Sequence, residues 1–138
     1  MRINNDIYED LGAAWWDENG DGNLVSLRFL NNPVKFNYIK QVVGPKRMKG
    51  SVLDVGCGGG YLTEELAKLG LSVTGIDPSA KSIATAGAHA RQEGLSIRYI
   101  VGRGEELPFE AERFDIVCCC DVLEHVENYE DVISAIAR

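Results

Sequence analysis

"SVLDVGCGGGYLTEEL", residues 51–66, sets four glycines and a cysteine between a short apolar run and a helical pattern. Glycine loses more conformational freedom on folding than any other residue, so a run of it marks backbone that bends sharply or lies close to a ligand. Ser51 to Val55 reads as a strand. From Tyr61 the apolar period changes to Leu62, Leu66 and Leu69, one helical stripe ended by Gly70. A strand, a glycine loop and a helix in that order fit three ligands: a nucleotide phosphate, a dinucleotide, or a nucleoside without phosphate.

Working outward, the same rhythm repeats. Ser72 to Ile76 is a second strand, and Ser79 opens a helix with Ile83, Gly87 and Ala90 on one stripe and Gly94 at its end. Ile97 to Val101 and Phe114 to Cys120 are strands three and four, and Asn128 caps a last helix with apolar Val132, Ile133 and Ile136. Before the loop, Asn32 caps a helix that has Pro33 in its first turn and Gly44 at its close. Alternating strands and helices predict an α/β fold of the Rossmann-like, doubly wound kind, with a mostly parallel sheet. Such sheets usually carry about five to seven strands and bind ligands beyond the strands' carboxyl ends, where strand order reverses. Only four strands are written here. Residues 51–138 are therefore expected to be the ligand-binding domain, C-terminally incomplete, and residues 1–50 a helical extension serving as lid or cap.

Length and composition agree with one compact domain or part of a larger protein, since the chain has 138 residues and 45% of them are hydrophobic. No stretch reads as a signal peptide or a membrane span, so a cytoplasmic protein is expected, with contact at a membrane surface left open. Net charge is -7. Residues 1–50 hold seven Lys/Arg against six Asp/Glu, and the remainder holds seven against fifteen, so nucleic acid is not an expected partner. Cys118, Cys119 and Cys120 are consecutive and Cys57 lies in the loop, a spacing that fits neither a zinc site nor a disulfide framework. They read as reduced thiols used as small apolar residues.

Spacing within the loop separates the ligand classes. It runs Asp54-x-Gly56-x-Gly58-x-Gly60, whereas a dinucleotide fingerprint starting at Gly56 needs a small residue where Tyr61 stands, and a P-loop needs a Gly-Lys-Ser/Thr ending. Charge points the same way. Asp54 ends the strand and Glu64 and Glu65 enter the helix's first turn, where they would repel a phosphate and favour a ligand bearing an ammonium and a sulfonium. Asp77 follows Gly56 by twenty-one residues, at the end of strand two, where an acid reaches the two hydroxyls of an adenosine ribose. S-adenosylmethionine meets all of these conditions. Cys120 ends strand four and is the cysteine expected to face it.

At this point the sequence resembles class I S-adenosylmethionine-dependent methyltransferases. "VLDVGCGGG" is similar to their first motif, "GIDPS" to their second-strand acid, "GEELPF" to the segment after strand three, and "FDIVCCCDVLEHV" to their fourth strand and turn. Many members carry an aspartate where Arg103 stands, so the resemblance implies that backbone groups near Gly104 and Glu105 serve the adenine. The stretch "WWDENGDGNLVSLRFLNNPVKFNYI" resembles the region before the motif in ubiquinone-biosynthesis O-methyltransferases. In that family a basic residue two positions after the Asn-Pro contacts the cofactor, and here that position is Lys35, which keeps the charge without arginine's bidentate fork. The resemblance implies a catechol-type, polyprenylated quinone precursor as small-molecule substrate, and nothing in the sequence points to an obligate protein partner.

Asp121, Glu124 and His125 admit several roles. On a helical turn their spacing places all three on one face, where they can hold Mg²⁺ or Zn²⁺, form an acid/base cluster, or rim the cleft. The resemblance adds that the acid-x-x-Glu-His turn is a proposed metal site in the quinone-pathway family. His125 and Glu124 are the candidate catalytic residues. Trp15 and Trp16 are expected mainly to pack on the core and His89 to be structural. Two other function classes remain: a nicotinamide-dependent oxidoreductase, which shares the fold and the strand-two acid, and a protein that binds the nucleoside without catalysis.

Overall fold

The computed structural model describes residues 6–17, 19 and 22–138. Four parallel strands form one sheet: β1 (Ser51–Val55), β2 (Ser72–Asp77), β3 (Arg98–Val101) and β4 (Ile116–Cys119), in the order β3-β2-β1-β4. The chain builds outward from β1 to β3 and then returns to the other side of β1. That reversal places a switch point between β1 and β4, where the connections diverge and leave a crevice.

Side-chain alternation along β1 supplies both faces of the core. Val52 packs with Leu62, Leu66, Leu71, Val73 and Cys118, covered by Phe36 and Ile39 of α3 (Asn32–Val43) and by α4 (Tyr61–Lys68). Leu53 and Val55 pack on the opposite face with Ile76, Leu107 and Val132, the last from α6 (Tyr129–Ala137). A third cluster joins Trp15, Leu24 and Tyr61, and ties the N-terminal elements to the glycine loop: α1 (Asp6–Leu11), a 3-10 turn (Gly12–Trp16) and α2 (Gly22–Ser26).

Several local expectations shift. Asn32 is not a cap: its backbone is helical, because α2 runs through a π-helical segment (Leu27–Asn31) directly into α3. The wide turn accommodates Pro33, whose missing N–H would break a regular helical ladder. The Asn32 side chain instead donates to the Tyr61 carbonyl at 3.3 Å. On α5 (Ala80–Gln92) the buried stripe is Ser82, Ala86 and Ala90 instead of Ile83 and Gly87, since small side chains let Trp15 and the loop approach the helix closely. Leu69 and Ile133 are exposed. Strands three and four are shorter than their apolar runs, and strand two extends one residue further, to Asp77. All four cysteines are free thiols.

Candidate functional site

The strand ends position the site. Beyond the carboxyl ends of β1, β2 and β4 lies a cavity of about 800 Å³, within the range of about 300–1,000 Å³ usual for small-molecule and cofactor sites. Asp54 from β1, Asp77 from β2 and Cys120 after β4 all line it, together with Gly56 and Gly58 of the loop.

The loop is held by bonds within the protein. Gly56 and Cys57 N–H groups donate to the Ile76 carbonyl at 2.8 and 3.1 Å, and Gly60 N–H donates to the Cys57 carbonyl at 3.0 Å. Gly58 N–H donates to Asp77 Oδ2 at 2.8 Å, while Ser79 N–H donates to Asp77 Oδ1 at 2.9 Å. These four loop amides are therefore not free to cradle a phosphate. Gly58 has φ +51°, and a Cβ there would sit 2.9 Å from the Trp15 ring, so both backbone and contact demand glycine. Gly60 also has positive φ but does not line the cavity; it enters α4 against Tyr99 and Ala86.

Among the described residues six carboxylates line the cavity, Asp54, Asp77, Glu105, Asp121, Glu124 and Glu127, against two fixed cations, Lys35 and Arg103. Burial pushes the Asp54 carboxyl up to about 7, and the negative charge of Asp77 adds to the shift while Lys35 opposes it. An anion here is short of compensating positive charge. Gly104 is buried at the start of a 3-10 turn (Gly104–Glu106), and Glu105 accepts from the exposed Arg103 guanidinium at 3.2 Å.

Glu64 and Glu65 are not beside this ligand space. Neither lines the cavity: Glu64 is buried and bonded to His89 Nδ1 at 2.7 Å, and Glu65 pairs with Lys68 at 3.1 Å on the surface. The acid surplus thus comes from strand ends and from the turns after β3 and β4, because Glu64 turns to His89 of α5 and Glu65 to the surface while Tyr61 and Leu62 line the cavity.

The expected metal set is not assembled. Asp121, Glu124 and His125 all line the cavity, but Asp121 has φ +56° and only Leu123–His125 form a short 3-10 turn, so the three do not share a helical face. Asp121 is ion-paired with Lys35, and His125 Nε2 lies 2.9 Å from the Tyr8 hydroxyl. Among the described residues no cluster of three His, Cys, Asp or Glu side chains is arranged to hold a metal ion. These residues do not fit a bound cation in this arrangement.

Tyr8 is a cavity-lining residue that the sequence did not disclose. Tyr8 comes from α1 and reaches the far side of the cavity, edge-on to His125 with ring centroids 5.3 Å apart. No local pattern announces that placement. Gly59, the third glycine of the loop, does not line the cavity but packs under Trp15, where a Cβ would lie 2.3 Å from that residue. Trp15 is buried, as expected of a core residue, yet it also lines the cavity and donates from Nε1 to Ser82 Oγ at 2.9 Å.

Residues 53–138 match the family described as a methyltransferase domain. A ubiquinone biosynthesis O-methyltransferase of Shewanella halifaxensis is 41% identical over 131 residues, covering 94% of this chain and 54% of that protein. One of the same name from Coxiella burnetii is 44% identical over 127 residues, covering 91% and 52%. The chain spans about half the length of the curated relatives it matches. Among solved structures, magnesium protoporphyrin IX methyltransferase (ChlM) of Synechocystis PCC 6803 with bound SAH superposes with a TM-score of 0.77 at 25% identity, over 95% of this chain and 64% of that one. With the sheet order, the glycine loop and the strand-two acid all in agreement, the chain belongs to the methyltransferase-domain family, with the Rossmann-like fold of class I S-adenosylmethionine-dependent methyltransferases.

Proposed function

We propose that the protein is an S-adenosylmethionine-dependent methyltransferase that acts on a small molecule, an oxygen of a catechol-type, polyprenylated dihydroxybenzene being the acceptor its relatives' name suggests. One observation carries the reading above the others. Asp54, next to last in β1, and Asp77, last in β2, flank a glycine loop whose amides are engaged internally, in a cavity where carboxylates outnumber fixed cations. That environment favours a cationic nucleoside and disfavours a pyrophosphate, which counts against a nicotinamide cofactor.

Bound there, S-adenosylmethionine would supply an electrophilic methyl group on a sulfonium. Asp77 Oδ2 accepts from Gly58 N–H and Oδ1 from Ser79 N–H, bonds that fix the carboxylate at the end of β2 where a ribose would lie. Gly56 and Gly58 bring the loop backbone close beside Val122 and Trp15, where a Cβ would clash, Gly104 and Glu105 offer backbone groups to the adenine, and Cys120 provides an apolar wall. Lys35 answers the cofactor's carboxylate once drawn from Asp121. Asp54 attracts the charged reactant and not the neutral thioether left after transfer. His125, held by Tyr8, takes the proton of the acceptor hydroxyl with Glu124 beside it, so positioning and proton removal are the chain's own contributions.

Residues 1–50 serve in this reading as the cap, and residues 51–138 as the cofactor-binding part. No helix among the described residues is long and apolar enough to cross a membrane. Leu30, Val34, Tyr38 and Val42 nevertheless form an exposed apolar stripe, and residues 22–50 carry six Lys/Arg and no acid. That pattern supports peripheral contact with an anionic lipid surface, where a polyprenylated acceptor resides.

The test is methyl transfer by the full-length protein from labelled S-adenosylmethionine to a prenylated catechol and to a catechol without the tail. Labelled ether formed on the prenylated acceptor supports the reading. Cofactor binding with no transfer to any catechol would leave a binding protein or a methyltransferase for another acceptor.

A further inference from the structure

Glu64 is buried in α4, one turn after the glycine loop, and neither it nor its partner His89 lines the cavity. Its Oε1 meets His89 Nδ1 at 2.7 Å, and its Oε2 has no hydrogen-bond partner among the described residues. Burial raises the pKa of Glu64, while the hydrogen bond and charge of His89 and the charge of Lys68 lower it and Glu93 raises it. A half-satisfied buried carboxylate is costly to stability, so the pair invites a reason beyond packing.

The other side of His89 supplies one. Its ring lies flat on Trp16, with centroids 3.4 Å apart and planes 6° from parallel. The Arg28 guanidinium also lies over Trp16, at 4.6 Å, and Tyr61 meets it edge-on at 4.9 Å. Trp16 in turn donates from Nε1 to the Gly59 carbonyl at 2.8 Å, within the glycine loop itself. Its neighbour Trp15 covers Gly58 and Gly59, and the Trp15 carbonyl accepts from the Tyr61 hydroxyl. A continuous path therefore runs from Glu64 through His89 and Trp16 to the backbone that shapes the cofactor cavity.

We infer that Glu64 and His89 form a latch that holds the segment Gly12–Trp16 over the glycine loop, which makes them positioning residues for cofactor retention. Glu64 fixes the imidazole's orientation, the imidazole presents a flat face to Trp16, and Trp16 clamps Gly59. On α5 His89 stands among Ala86, Ala88 and Ala90, which carry no ring to stack on Trp16. The consequence for S-adenosylmethionine rests on the proposed function; the latch on the segment does not.

The experiment combines hydrogen exchange with cofactor titration on the full-length protein. His89→Ala should speed exchange at residues 12–17 about tenfold and weaken S-adenosylmethionine binding by a similar factor, as expected for losing a ring stack and an oriented contact. Turnover at saturating cofactor should stay within about twofold, because no group in the cavity changes. His89→Phe combined with Glu64→Leu, an apolar copy of the latch, should restore slow exchange and affinity together. Should His89→Ala fold poorly, Trp16→Leu leaves the Glu64–His89 pair intact and should open the same amides. Unchanged exchange at residues 12–17 in these variants would overturn the latch whether or not the cofactor binds. An opened segment with wild-type cofactor affinity would overturn its role in retention, and failure of the wild-type protein to bind S-adenosylmethionine would instead overturn the proposed function.

Discussion

Asp54 is the residue whose chemistry is most exposed to test. Its carboxyl, pushed up to about 7 by burial and by Asp77, lies above the ordinary carboxylate value of 3.8. The stability it contributes is present below that ordinary value and lost as pH rises through about 7, as the buried group becomes charged. A bound cation reverses the preference. S-adenosylmethionine affinity should therefore rise about eightfold between about pH 6 and 7.5 as Asp54 ionises. Asp54→Asn should flatten that rise in titrations at fixed ionic strength; a slope that survives the substitution would assign it to another group. Gly58→Val should reduce cofactor binding at least about a hundredfold while most helical circular dichroism remains, because the positive φ and the Trp15 ring both exclude a branched side chain. At this scale the sequence disclosed what spacing alone determines. Asp77, Gly58 and Asp54 follow from distances along a strand and a loop. Gly60 and Glu64 did not, because which way a residue faces depends on α5, which packs from a remote part of the chain. Tyr8 needed tertiary placement altogether.

Among the elements, the turn after β4 and the segment α1 line the part of the cavity where the acceptor is proposed to bind. The expectation of a shared face for Asp121, Glu124 and His125 assumed a helical turn, and the left-handed backbone at Asp121 breaks it. Strand and helix order along residues 51–138 was legible because apolar periodicity records it, whereas the continuity of α2 into α3 across Pro33 was not, since a π-turn leaves no periodic mark. Tyr8→Phe removes the hydroxyl that meets His125 at 2.9 Å. It should lower turnover about fivefold, the worth of one neutral hydrogen bond, and leave cofactor affinity unchanged. A fall in affinity instead would make Tyr8 a cofactor contact. With Asp121 held by Lys35 and His125 by Tyr8, S-adenosylmethionine affinity should be the same before and after treatment with a chelator. Affinity that drops in chelator and returns with Mg²⁺ or Zn²⁺ would place a cation in the cavity.

At the scale of the whole molecule, charge and topology act together. A net charge of -7 is spread so that the strand ends face the ligand with acids while residues 22–50 are purely basic. The parallel sheet β3-β2-β1-β4 sets the cavity at the reversal of strand order, and the N-terminal elements close over the loop from one side. The central claim is that this acid-lined crevice holds a cationic nucleoside and not a dinucleotide. Calorimetric titration of the full-length protein with S-adenosylmethionine and, separately, with NAD tests it most directly. One S-adenosylmethionine should bind per chain, with no saturable heat from NAD. Saturable binding of NAD, or none of S-adenosylmethionine, would contradict it.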